Sequence, residues 1–300
     1  MPRILAATRD GLHALDEVGN AEPVQHAGRS VAAVMRDGPQ LWAIVDDIEI
    51  WHAPDGQWSR VAHLEGLAAT CIAMTDAVHV GTSEARLFRL TGSELEPVDG
   101  FDKAVGRAEW YTPWGGPPAT RSFTEWDDDV FVNVHVGGIL HTDDHGETWV
   151  PTIDIDADVH QVAVTEELVL AACAGGLAMS ADRGSTWTIR SDGLEAPYAR
   201  AVTVCGDAVL MSASNGPRGG RAGIYRADLA GGAFERCTAG LPEWFDDNID
   251  TYCLDALNDG SFAAFGTADG RVFGSEDCGS TWRELSSALP PVQHVLVAPS

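Results

Sequence analysis

Three stretches align without a gap and decide the fold: Thr142-Asp-Asp-His-Gly-Glu-Thr-Trp149, Ser180-Ala-Asp-Arg-Gly-Ser-Thr-Trp187 and Ser275-Glu-Asp-Cys-Gly-Ser-Thr-Trp282. The second and third fit Ser-x-Asp-x-Gly-x-Thr-Trp fully, and the first has Thr for Ser. Trp149 and Trp187 are 38 residues apart, and Trp187 and Trp282 are 95 apart, room for two units plus an insertion. The residue types suit a rigid hairpin. A short Asp (Asp144, Asp182, Asp277) folds back onto the backbone N–H groups of its own turn. Gly146, Gly184 and Gly279 take the positive φ that the bend requires. The indoles of Trp149, Trp187 and Trp282 then bury a large apolar area against the sheet. All of this chemistry is structural.

Working outward, two β-like runs separated by a turn precede each box. Val130–His135 leads to Gly138–His141, Leu168–Cys173 to Gly176–Met179, and Ser261–Gly266 to Gly270–Phe273. The same grammar recurs without a full box at Ile4–Thr8 with Gly11–His13, Leu41–Val45 with Ile48–Trp51, Val78–Gly81 with Arg86–Phe88, and Val209–Met211 with Gly223–Tyr225. Leading strands are expected at Val31–Val34, Thr70–Met74, Arg121–Thr124, Gln161–Val164, Ala201–Val204 and Thr251–Leu254. Four short strands per unit of about 40 residues define a propeller blade. The first unit lacks a leading strand, and the chain ends with a spare one, Val292–Val297. Pairing that strand with Ile4–Thr8 leaves no long exposed edge. The expectation is one all-β domain, residues 1–300: a seven-bladed β-propeller whose C-terminal strand closes the first blade.

Composition limits the function. The chain has 300 residues, a net charge of −26, and 45% hydrophobic residues, so it is globular and acidic. So negative a surface repels phosphate backbones and anionic lipid, and neither nucleic-acid nor membrane partners are expected. No apolar run reaches the roughly 18 residues of a membrane span. Met1-Pro2-Arg3 runs straight into an apolar strand, without the regions of a signal peptide, so a cytoplasmic location is expected. The acidity also fits adaptation to salt. The six cysteines show no zinc-ligand spacing and read as reduced thiols, buried except for Cys278 in its turn.

On its boxes and repeats the chain resembles the bacterial-neuraminidase-repeat, or Asp-box, propellers, most of all single-propeller members called sialidase-like or glycosyl-hydrolase-like. That set includes sialidases, xyloglucanases, sortilin-type receptors and photosystem II assembly factors. The resemblance implies a rigid scaffold and leaves the activity open. Sialidases of the family need an Arg-Ile-Pro near the N-terminus, and this chain has Arg3-Ile4-Leu5. They also need a Tyr–Glu pair, and none of the four tyrosines has a Glu partner that sequence can assign. Sialidases usually have six blades. True sialidase activity is not expected.

In a propeller, box turns lie on one face, and loops between blades or between second and third strands lie on the other. Candidate site residues should come from the second set. The Asp99–Thr120 loop carries Trp110 and Trp114, and the Cys237–Asp250 loop carries Trp244, Phe245 and Asn248. Aromatics beside carboxylates and amides suit a sugar or another amphipathic ligand; loop plugging is the alternative. Asn133 and His135 end a second strand, Asp158 and His160 open an innermost strand, and His294 opens the closing one. Arg121, Tyr198, Arg200 and Asp250 fall at or just before innermost strands.

One reading is an enzyme of hydrolase or lyase type acting in the central funnel on a carbohydrate or other small polar ligand. His135 and His160 would be the acid–base pair, with Asp250 orienting one of them. Trp114, Trp244, Asn133, Asn248, Asp158 and Tyr198 would contact the ligand, and Arg121 or Arg200 would hold an anionic substituent. With two or three neutral imidazoles, His135, His160 and His294 would instead ligate a divalent metal. The other reading is a non-catalytic protein- or peptide-binding scaffold with an aromatic hot spot. His141 and His145 lie near a box turn and are expected to face away from the site. Ser214–Arg221 lacks the context of a phosphate loop and reads as a disordered or ligand-ordered turn.

Overall fold

In the computed structural model, residues 2–299 are described; Met1 and Ser300, the limits of the expected domain, lie outside the described residues. The fold is an all-β seven-bladed propeller built from seven small antiparallel sheets. Six sheets have four strands each. They start at Val31–Asp37, Ala69–Met74, Thr120–Trp126, Val159–Val164, Tyr198–Cys205 and Leu254–Ala256, and serve as blades two to seven.

The first sheet has three strands in the order Gly11–Asp16, Arg3–Thr8, Val292–Ala298. The expected closure is present: Ile4 pairs with Val297, Leu5 with Leu296 and Ala6 with Val295. Of a fourth strand only two isolated bridges remain, Leu12 to Gln25 and Leu15 to Ala21. A further expectation shifts. The seventh blade's leading strand starts at Leu254 and not Thr251, because Tyr252 holds a left-handed backbone with φ 62° that interrupts a ladder. Five cysteines are buried and Cys278 is half-buried, and all six are free thiols.

Chain contacts divide the molecule into two compact units. One comprises residues 1–31, 172–177 and 189–300, and includes blades one, six and seven. Its core packs Phe265 and Phe273 face to face at 4.8 Å, with Phe245 and Trp282 edge-on against them. The other comprises residues 32–171 and 178–188, with blades two, three and four and most of blade five. Its core includes Ile44, Ile50, Ile72 and Val80.

Each box folds as a closed hydrogen-bond circuit. In the second box, Asp182 Oδ1 accepts the Thr186 N–H (2.8 Å) and Oδ2 accepts the Thr186 hydroxyl (2.7 Å). The Ser180 hydroxyl donates to Asp182 and accepts the Gly184 N–H at 2.8 Å. The indole N–H of Trp187 donates to the Gly184 carbonyl at 3.1 Å. The first and third boxes repeat these bonds through Asp144 and Asp277. His145, Arg183 and Cys278, one before the glycine, are also left-handed, at φ 59°, 55° and 51°. Two successive positive-φ residues match the right-handed twist of the flanking strands.

The three indoles are not equivalent. Trp149 and Trp282 are buried, edge-on to Phe101 and Phe265 at 5.2 and 4.9 Å. Trp187, expected to be buried, is only half-buried, its indole bonded to Thr152 and Gly184 carbonyls. Truncating Trp282 to Ala is therefore expected to cost about 3–5 kcal/mol and Trp187→Ala distinctly less; equal losses in denaturant titration would contradict this packing.

The Asp144 carboxyl is held down to about 2 by the Thr148 hydroxyl, then by the Thr148 N–H and the Thr142 hydroxyl. A depressed folded-state value stabilises the fold fully above the unfolded value of about 3.9. That stability is lost as pH falls from there toward about 2. Asp144→Asn should flatten the acid limb of the stability–pH curve in that window, and an acid limb superimposable on the wild type would count against the circuit.

Candidate functional site

The candidate site assembles where blades four and five present their ends opposite the box turns, within one unit. The leading strand of blade five, Val159–Val164, is entered through a 3-10 turn, Ile155–Ala157. Asp154 caps that turn by accepting the Asp156 N–H at 2.9 Å. The turn ends at Asp158, left-handed at φ 48°, and His160 follows two residues later, fully buried.

From blade four, Asp129–Val134 delivers His135 one residue past its end, and the His135 N–H continues the ladder to the Ala119 carbonyl at 2.9 Å. Val136 then turns at φ 53°, an unusual conformation for a β-branched residue. Gly137 follows where a Cβ would lie 2.5 Å from Val134. Two non-glycine residues in a sparsely populated backbone region thus flank the histidines, strain that the surrounding ladder must hold in place.

These segments bring His135 Nε2 to 3.5 Å from Asp158 Oδ1, and His160 Nε2 to 3.6 Å from Asp158 Oδ2. The two imidazole centroids are 5.8 Å apart. Trp114, 64% exposed, stands over His135 with ring centroids 5.0 Å apart. Tyr111 donates to Asp156 at 3.4 Å, and the negative charge of Asp156 raises the phenol above its ordinary range. The loop bearing Trp114 is anchored by Trp110, which packs near Phe101 and carries the Arg107 guanidinium 4.7 Å over its ring. One aromatic of this loop plugs it down and another is left facing solvent.

Asn133 lies on the same face of its strand as His135. It is fully buried, and among the described residues neither amide atom has a hydrogen-bond partner. Its register partner Ser122 accepts the Val162 N–H at 2.9 Å, so this face of blade four is turned toward blade five. Arg121 sits in a β-bulge between Thr120 and Ser122, a device that re-aims a side chain at a strand start.

The remaining expected residues belong to the other unit and hold structure there. Asp250 binds the Arg200 guanidinium at 2.9 Å. Arg200 also lies 5.2 Å from the Tyr198 ring centroid and donates to the Pro217 carbonyl. Asn248 donates to the Gly216 and Pro217 carbonyls and accepts from the Ser214 hydroxyl. These bonds tie the 214–221 loop to Asn248 and Arg200. The Trp244 ring carries the guanidiniums of Arg221 and Arg236 at 4.5 and 4.1 Å, and both cations pair with Glu195. His294 stacks on Tyr252 at 4.9 Å, and burial lowers its pKa to about 3, keeping it neutral. His294 is therefore outside the group that converges in blades four and five.

His141, near a box turn as expected, pairs with the buried Asp129, which also receives Arg183. That charge cluster is not legible in the sequence, since it joins a strand start to the next box. A cleft lined by His79, Phe123, Glu125 and Trp149 likewise involves the box side of blades three and four.

No family model matches the chain, and no curated protein matches it. Solved structures do match in fold. The computationally designed Ika8 protein has a TM-score of 0.62 at 14% identity, over 97% of this chain and 86% of that one. The GH74 enzyme of Niastella koreensis gives 0.60 at 12% identity, covering 93% of this chain and 46% of the enzyme. The GH74 xyloglucanase of Xanthomonas campestris gives 0.61 at 13%, covering 95% and 46%. The chain thus spans about half the length of these two enzymes, and the likeness is one of fold.

A buried amide without a protein partner costs about 1–3 kcal/mol. Asn133→Leu, close to isosteric, is therefore expected to leave unfolding free energy unchanged or raised in chemical denaturation; a clear loss of stability would show that the amide supports the fold itself.

Proposed function

We propose that the chain is a binding propeller for a small, neutral, polar ligand of carbohydrate or polyol type, held at the ends of blades four and five. The observation that carries this reading is the exposed Trp114 indole standing over His135, with Asp158 and His160 beside it. An indole face takes the apolar face of a sugar ring, while imidazole and carboxylate meet its hydroxyls. A net charge of −26 disfavours anionic ligands at long range, which points to neutral sugars. Kinship of fold with a xyloglucanase supports the same ligand class by analogy only. Two imidazoles flanking one carboxylate also supply the groups for proton transfer to a bound hydroxyl or glycosidic oxygen.

Calorimetric titration with a panel of neutral mono- and oligosaccharides tests the proposal. Saturable binding of at least one sugar is expected, and Trp114→Ala should abolish it while leaving the far-ultraviolet circular dichroism unchanged. Absence of binding across the panel, or binding that survives Trp114→Ala, would defeat the reading.

A further inference from the structure

We propose that His135, Asp158 and His160 form a binding site for a divalent transition cation of the zinc class. The proposal rests on the site described above and deepens it, because the cation would form the floor on which the ligand's oxygens sit.

Donor type is the first argument. Two imidazoles and one carboxylate are a ligand set for zinc and neighbouring first-row divalent ions, and a poor one for calcium or magnesium, which take oxygen cages. Geometry is the second. One ligand atom from each of the three residues lies within 4.8 Å of the others. The two imidazole-to-carboxylate separations are 3.5 and 3.6 Å. They match the edge of about 3.4 Å that a tetrahedron with bonds of about 2.1 Å would have. Each carboxylate oxygen faces a different imidazole, so one ion drawn in between would engage both histidines at little displacement.

The surroundings are the third argument. His160 is fully buried and the His135 side chain is 15% exposed, so the nitrogens are shielded from water on the protein side. Both ligand-bearing segments stem from strand ends locked by ladder bonds and by residues at positive φ, which holds the three groups in place before an ion arrives. Asp154, Asp156 and Asp158 fall within five residues, and with the overall charge they raise the local cation concentration. Asn133, buried on the same face with both amide atoms unpartnered, is suited to bind a ligand water or orient a ligating group. Three protein ligands leave a coordination position open toward Trp114, where a ligand oxygen would bind.

The test is calorimetric titration of chelator-treated, buffer-exchanged full-length protein with zinc chloride alone, with no sugar present. One zinc per chain is expected, together with a rise in melting temperature that grows with zinc concentration. Asp158→Asn and His160→Ala should each abolish stoichiometric uptake, and Asn133→Leu should weaken it by about 10–100-fold. His145→Ala, which removes a histidine at a box turn, should leave uptake unchanged. Asp158 is partly exposed, so its variant remains informative even if His160→Ala does not fold. Wild-type protein that takes up no zinc, or uptake unaltered by Asp158→Asn, overturns the cation site. Sugar binding by chelator-treated protein that takes up no zinc overturns the cation alone. Zinc uptake with no sugar binding supports the cation site and overturns the ligand reading instead.

Discussion

The antiparallel pairing of Arg3–Thr8 with Val292–Ala298 is the constraint on which the rest of the structure depends. Without it the first sheet would be a two-stranded ribbon, and isolated ribbons are marginal in water. With it, Ile4, Ala6, Val295 and Val297 are buried together with Phe262, Ala264 and Val272 of blade seven. Gln293, at the register shift near the start of the closing strand, extends this fastening by donating to Ser30 and to the Val31 carbonyl at 3.0 Å. Sequence neighbours supply most other blade contacts, whereas this one links residues almost 300 positions apart. The loop-closure entropy has to be met before the pairing contributes anything.

A second device recurs at the starts of leading strands. Register shifts fall at Thr70 in blade three, Arg121 in blade four, Arg200–Ala201 in blade six and Gln293 in the closing strand. A bulge turns one side chain out of the regular alternation, and in three blades that side chain anchors a neighbouring segment. Thr70 reaches the Thr120 carbonyl, Gln293 the Val31 carbonyl, and Arg200 both Asp250 and Pro217. Most of the polar residues singled out at strand starts are thereby absorbed into holding the structure. Blade five places Asp158 and His160 against a histidine from blade four, and that juxtaposition gives the candidate site its chemistry.

The fold was legible in the sequence because its signals are local. Asp-x-Gly-x-Thr-Trp defines a turn within eight residues, and alternating apolar runs on either side define its strands. The role of the first Ser or Thr, accepting the glycine N–H, was less visible, as was the left-handed conformation of His145, Arg183 and Cys278. The difference in burial between the indoles is not legible for a related reason, since among the described residues Trp149 and Trp282 pack on the Phe101 and Phe265 rings and Trp187 has no such ring partner. For the site, His135, Asp158, His160 and Trp114 were identifiable one by one from their places at strand ends and in a loop. Which of them meet depends on register between two blades. That separated the blade four and five cluster from His294, Asp250, Asn248 and Trp244, whose residue types looked equally suitable.

Hydrogen exchange of the backbone amides in the closing pair tests the structural account most directly. Protection at Leu5 and Leu296 should be lost only in the opening that also exposes the buried strands Ala208–Ser214 and Ala263–Gly266, with the same denaturant dependence. Exchange of the closing pair through a separate, low-energy opening, with those strands still protected, would show that the fold stands without the closure and would contradict the account.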